Sequence, residues 1–160
     1  MFFHLSGFTS LFRNFYIQMS SMKRIIIILA AFLITSPGLF SQSKSYNIVF
    51  DITTGDTSTH ARVLRWAKGI VESHPDAKVE IVFYGRSLDM VVNGRSTLSA
   101  DVTRLASEKK ISFVACEHAM KVFNIKKEQL LDGIATVPDA LYELIAKQAE
   151  GYGYIKVVPN

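Results

Sequence analysis

The stretch Tyr46-Asn47-Ile48-Val49-Phe50-Asp51-Ile52 decides the fold. It is an apolar, β-branched run, the pattern of a strand covered on both faces. Thr53–Ser58 follows as a polar loop. Thr59–Ser73 then carries Val63, Ala67, Ile70 and Val71 on one helical stripe, which His74-Pro75-Asp76 stops. A strand, a short loop and a helix long enough to cross back form the unit from which parallel sheets are built.

The same alternation continues along the chain. Val79–Tyr84 reads as a second strand closed by Gly85, and a short segment to Val92 ends at the Asn93-Gly94 turn. Leu98, Val102 and Leu105 mark a helix, Ile111–Ala115 a third buried strand and Glu117–Phe123 a short helix. Lys126–Leu131 and Gly133 lead to Ile134–Val137, a short fourth strand. Pro138 is expected in the first turn of the last helix, whose apolar stripe is Leu141, Leu144 and Ile145 and whose C-cap is Gly151. Tyr154–Val158 closes the pattern as a fifth strand, after Gly151-Tyr152-Gly153-Tyr154 turns the chain into it. Strands and helices alternating at this spacing predict an α/β fold of three layers around a mainly parallel sheet of five strands. No repeat or Pro/Gly/Ser-rich linker divides residues 45–158, so they are expected to form a single domain.

The formal charge of +4 and the 49% hydrophobic content over 160 residues are unevenly spread. Residues 1–41 hold seven of the eleven Phe, three of the eighteen Lys and Arg, and no Asp or Glu. The remainder has 15 basic against 14 acidic residues, so a nucleic-acid partner finds no support in charge. Met22-Lys23-Arg24 followed by Ile25–Ile34 reads as the start and apolar core of a secretory signal peptide spanning 22–41, cut between Ser41 and Gln42. Its apolar run is shorter than the roughly 20 residues a membrane span needs, although an uncleaved anchor running to Phe40 is the alternative. With no cysteine near the end of the run, lipid anchoring is excluded. Residues 1–21 are expected to be an over-extended N-terminus, with Met22 the true start, or else an unusually long n-region. Export, with the periplasm as destination and no stable membrane insertion after cleavage, is the expectation.

A single cysteine excludes an internal disulfide framework and any cysteine-rich zinc site. Cys116 falls between the third strand and the Glu117–Phe123 helix, and chemistry in open parallel sheets gathers beyond the carboxyl ends of the strands. Helix N–H groups and the positive dipole end favour a thiolate there, His118 as an imidazolium would add to that, and Glu117 would oppose it. The competing reading is a buried cysteine acting as a small apolar filler.

Four segments stand together in order and spacing: Val79-Glu80-Ile81-Val82-Phe83-Tyr84-Gly85, Ile111-Ser112-Phe113-Val114-Ala115-Cys116, Ala119-Met120-Lys121, and Lys147-Gln148-Ala149-Glu150-Gly151-Tyr152-Gly153-Tyr154-Ile155-Lys156. In these the chain from Tyr46 to Val157 resembles the DsrE/DsrF-like family of small sulfur-relay proteins. The resemblance implies a flavodoxin-like fold, assembly as a homo-oligomer (trimer or hexamer), and a cysteine that accepts and passes on sulfur as a persulfide, with Cys116 at the matching strand end. The relay members work in the cytoplasm, whereas this leader implies export. On this reading Cys116 and His118 are the catalytic residues, and the partners are a sulfur donor or acceptor protein or a small thiol. With no second cysteine, resolution falls to a partner or to another copy of the chain. An exposed thiol in an oxidising compartment would be prone to capping or dimerisation.

The loop Thr53-Thr54-Gly55-Asp56-Thr57-Ser58 could form a backbone nest for an anion, and Thr54-Gly55-Asp56-Thr57 resembles part of the flavin-phosphate loop of flavodoxins. Ile52 breaks the usual hydroxyl at its start, Asp56 brings the wrong charge, and neither a Walker lysine nor G-x-G-x-x-G is present. A loop whose hydroxyls cap the next helix is the simpler reading, and no cofactor is expected. His60 is expected as an exposed helical histidine rather than a partner of Cys116. A metal held by Cys116, His118, His60 and Asp56 is not expected, because C-x-H is not a recognised ligand pair on one helix face. Trp66, Tyr84, Tyr152 and Tyr154 read as core or interface packing. Lys109-Lys110, Lys126-Lys127, Arg86 and Arg95 read as solvated charges, with Arg86 also close enough to a strand end to attract an anion. The leading reading is an exported sulfur carrier. The alternatives are a non-catalytic ligand-binding or assembly module of the same fold, and a flavin or nucleotide binder through Thr54–Thr57.

Overall fold

The computed structural model describes residues 46–159. The expected over-extended N-terminus at 1–21 and signal peptide at 22–41 lie outside the described residues. In chain order the elements are β1 (Ile48–Ile52), α1 (Thr57–Ser73), β2 (Val79–Phe83), α2 (Ser99–Ser107), β3 (Ile111–Cys116), α3 (Glu117–Val122), β4 (Ala135–Val137), α4 (Ala140–Ala149) and β5 (Gly153–Val157). Short 3₁₀-helices at Gly85–Met90 and Lys127–Gln129 fill the two longer connections.

The sheet order is β4-β3-β2-β1-β5, and every pairing is parallel. Every residue of β1 and β2 is buried, which explains why their sequences read as continuous apolar runs. Alternation along the strands separates the two faces. Phe50, Ile81 and Phe113 are register partners on one face. There Phe50 stacks on Trp66 of α1 at 6.5 Å, and Phe83 lies parallel to Phe113 at 6.3 Å. Val49, Glu80 and Ser112 occupy the other face, where Lys147 of α4 reaches Glu80. Helices on both faces of one parallel sheet make this a three-layer α/β fold of flavodoxin-like type. No helix among the described residues is long and apolar enough to cross a membrane.

Local departures from the sequence reading have physical causes. Tyr46 and Asn47 precede β1, and Val158 follows β5, because no partner residues extend the ladder there. Leu98 is the N-cap of α2 rather than a member of it. Pro138 precedes the N-cap instead of entering the first turn of α4, because Asp139 supplies a better cap. Of the expected α4 stripe only Leu144 is buried, together with Ala140, while Leu141 and Ile145 face solvent. His60, expected exposed, is buried, and its Nε2–H donates to the Thr54 carbonyl at 2.8 Å.

Candidate functional site

The carboxyl ends of β1 and β2 are stitched together by one buried serine. Ser87 Oγ lies 2.6 Å from the Ile52 carbonyl oxygen and 2.9 Å from that of Tyr84, and Ser87 N–H donates to Thr53 O. Gly85 allows this approach: its φ is +63°, and a Cβ there would stand 3.2 Å from Thr53 O. The turn fixes Tyr84 at the end of β2. Because Phe83 pairs with Ala115, the next residues along, Tyr84 and Cys116, stand side by side on the α4 face.

Cys116 is the last residue of β3, paired with Val137, rather than the residue after the strand. It is also the N-cap of α3, but its side chain makes no capping bond to that helix. Its thiol instead turns to α4. Asp139 Oδ1 accepts from the N–H groups of Leu141 at 2.7 Å and Tyr142 at 3.1 Å, leaving the Ala140 N–H. That N–H donates to Cys116 Sγ at 3.3 Å. The sulfur is therefore a hydrogen-bond acceptor at the start of a ten-residue helix, and its residue is only 5% exposed. His118 is held through its backbone N–H to the Pro138 carbonyl at 3.3 Å, and its ring lies on the exposed side of α3. Glu117 accepts from Thr136 Oγ1 at 2.8 Å and so ties α3 to β4.

A second group on this face was missed in the sequence. Asp51, 3% exposed in the middle of β1, accepts from Tyr154 OH at 2.6 Å and from Lys156 Nζ at 2.9 Å. Lys156 Nζ also donates to Tyr84 OH at 3.4 Å and lies 5.4 Å from the ring centre. The bond to Asp51, and then burial, pushes the Tyr154 hydroxyl up to about 12. Tyr84 is raised first by burial and then by Asp51. For Lys156 burial acts against the charge, but the bonds and charge attraction from Asp51 and Tyr84 together outweigh it and the net direction is upward. The signal was available: a carboxylate inside an apolar strand, and Tyr154 and Lys156 two apart on one face of β5. Aromatic residues read one at a time as packing hid their hydroxyl partners.

The loop after β1 is closed on itself. Asp56, not the loop hydroxyls, caps α1, accepting from the Thr59 N–H at 2.8 Å and from the hydroxyls of Ser58 and Thr59. These bonds hold the Asp56 carboxyl far below the usual carboxylate range. Arg86 is exposed, 3.6 Å from Asp89. Among the described residues no three His, Cys, Asp or Glu side chains come together as a metal site would need.

A family model described as the DsrE/DsrF-like family matches residues 47–157. Among solved structures, protein MTH1491 from Methanobacterium thermoautotrophicum, of unknown function, superimposes with a TM-score of 0.66 at 23% identity, covering 70% of this chain and 99% of its own. The conserved protein BT1422 from Bacteroides thetaiotaomicron, also of unknown function, gives 0.61 at 15% identity, covering 73% and 99%. These likenesses concern the fold. No curated protein matches the chain significantly.

Proposed function

The chain belongs to the DsrE/DsrF-like family, and from that premise we propose that it is an exported sulfur carrier, with Cys116 as the residue that holds the sulfur. The observation that carries this reading is the Ala140 N–H directed at Cys116 Sγ at 3.3 Å. A donor at the start of a helix is what a thiolate or a persulfide anion requires. In the forward step the Cys116 thiolate attacks the outer sulfur of a donor persulfide. A new S–S bond forms at Cys116, the donor's S–S bond breaks, and its electron pair leaves on the donor thiolate. An acceptor thiolate then attacks the outer sulfur of the Cys116 persulfide and releases the Cys116 thiolate. No net oxidation occurs, and no second cysteine is needed in this chain.

Burial of Cys116 shields the thiol from oxidants in an exported setting, and it requires that the start of α3 or α4 yield to admit the donor. His118, on the exposed side of α3, is assigned to meeting the incoming donor rather than to holding the sulfur. The partners are a donor or acceptor protein or a small thiol. The protein works in the periplasm as a trimer or hexamer, free of the membrane once the 22–41 leader is removed.

The alternative, a non-catalytic binding or assembly module, is favoured by one observation: the thiol is buried and the His118 ring is turned outward. Mass spectrometry after exposure to polysulfide separates the two. A one-sulfur adduct on the parent that disappears in Cys116→Ser supports the carrier. An unmodified Cys116 at neutral pH supports the module. Spectra of the same chain recovered from a Gram-negative periplasm read the N-terminus, and one other than Gln42 rejects the proposed cut.

A further inference from the structure

Among the described residues β5 is the outer strand of the sheet, and all of it but Val157 is exposed. The Gly153 N–H donates to the Asn47 carbonyl at 2.8 Å, which sets the alternation along the strand. Gly153, Ile155 and Val157 turn their backbone groups to β1, so Tyr154 and Lys156 present theirs outward, where a further strand would bond to them. A lysine on such a row ordinarily keeps other strands away. Here Lys156 is folded back onto Asp51 at 2.9 Å, and Tyr154 OH holds the other carboxyl oxygen at 2.6 Å. Both side chains are thereby fixed on the α4 face, and the edge is left open.

The opposite face beside the same strand carries a groove of about 650 Å³ between α1 and the β1–β5 pair. Ile48, Phe50 and Ile155 form its floor, and Trp66 and Ile70 its wall. Trp66 is 43% and Ile155 38% exposed, so the slot has no cover among the described residues. No carboxylate lines it. Arg65, at its rim, is exposed and forms no ion pair among the described residues. Arg62, one turn earlier, lies 5.4 Å from the Trp66 ring centre and adds a second positive charge to the same rim.

An open backbone row, an apolar slot beside it and a basic rim without an acid describe one ligand. We propose that β5 binds an extended segment of a partner protein as a sixth strand. One apolar side chain of that segment enters the slot against Trp66 and Ile155, and an acidic side chain two residues away meets Arg65. Residues two apart share a strand face at roughly 7 Å, which suits one slot and its rim. Backbone bonds supply the affinity and the slot and rim select the sequence. The site does not rest on the sulfur reading, since it lies on the Phe50 face and Cys116 on the other.

The chain has one tryptophan, so Trp66 emission in the full chain reads the slot directly. The probe is acetyl-Ser-Glu-Thr-Phe-Thr-Val-Ser-amide, which places Glu, Phe and Val on one face. It is expected to shift the emission to shorter wavelength and to saturate. Replacing the probe's Glu by Gln, or Arg65→Gln in the chain, should each weaken binding about threefold, and both together no further than either alone. Ile155→Glu, at an exposed position, should abolish the shift. Two forms of the probe N-methylated on alternate residues in opposite phase separate strand addition from side-chain contact. One phase should bind as the parent probe does, and the other at least about tenfold more weakly. No shift with millimolar probe, equal binding of the two N-methylated forms, or unchanged binding by either variant overturns the proposal. So does a parent assembly that Ile155→Glu dissociates, because a second copy then occupies the edge.

Discussion

Glu80 shows what one residue can impose on a parallel sheet. A carboxyl between Val49 and Ser112 in register is under α4, and burial raises it from its ordinary 4.5 to about 7. Below about 4.5 the folded and unfolded chains both hold the proton. Between that value and about 7 only the folded protein holds it, so stability falls as pH rises through this window. Above it the full cost of a buried charge remains. Glu80→Gln removes the titration and is expected to be more stable than the parent near pH 8 by about 3 kcal/mol, the difference shrinking towards pH 4.5. Thermal melts across that range measure it, and a parent as stable as the variant at pH 8 would contradict the burial of an ionised carboxyl. Cys116 is a residue of the other kind. Its location was legible because apolar spacing switches there from strand to helix. Its true neighbour was not, because Ala140 is 24 residues away and only the crossover of α4 brings it to the sulfur.

At the scale of elements, β1 to β3, α1 and the order of the units were readable, since buried parallel strands are unbroken apolar runs bounded by Pro, Gly and polar residues. The Asp51–Tyr154–Lys156–Tyr84 group was not, because it needs the knowledge that β5 returns to the β1 edge rather than continuing beyond β4. The start of α4 was misread for a related reason. Pro138 suits a first turn, but Asp139 accepts two helix N–H bonds and so sets the boundary two residues later than a proline at N1 would. That cap holds the helix in the position from which Ala140 meets Cys116. Asp139→Ala is expected to cost about 1 kcal/mol in chemical denaturation. It is also expected to speed alkylation of Cys116 by iodoacetamide, because the first turn frays. A loss of stability with no change in alkylation rate would show that α4 does not control access to the thiol.

Among the described residues, one face of the sheet is thinly covered. From β1 to β4 the chain steps steadily across the sheet, and right-handed crossovers keep the helices of those steps on the Phe50 side. The return from β4 to β5 runs the other way, so among the described helices α4 alone, ten residues long, lies on the Glu80 side. Its inner face is spent on Ala140, Leu144 and Lys147. Its outer face presents Leu141, Tyr142 and Ile145, the last two 73% and 65% exposed, grouped within one turn. Burying one such side chain contributes about 1.5–3 kcal/mol, so a patch repeated on every copy favours association of the chain with itself. The proposed trimer or hexamer is therefore expected to use this helix, which would bring subunit boundaries close to the Ala140–Cys116 contact. Leu141→Asp with Ile145→Asp, both on the solvent side, should leave the fold intact by circular dichroism and yield monomers in sedimentation velocity. A parent that is itself monomeric at micromolar concentration, or a double variant that still assembles, would move the interface away from α4 and leave access to Cys116 governed within one subunit.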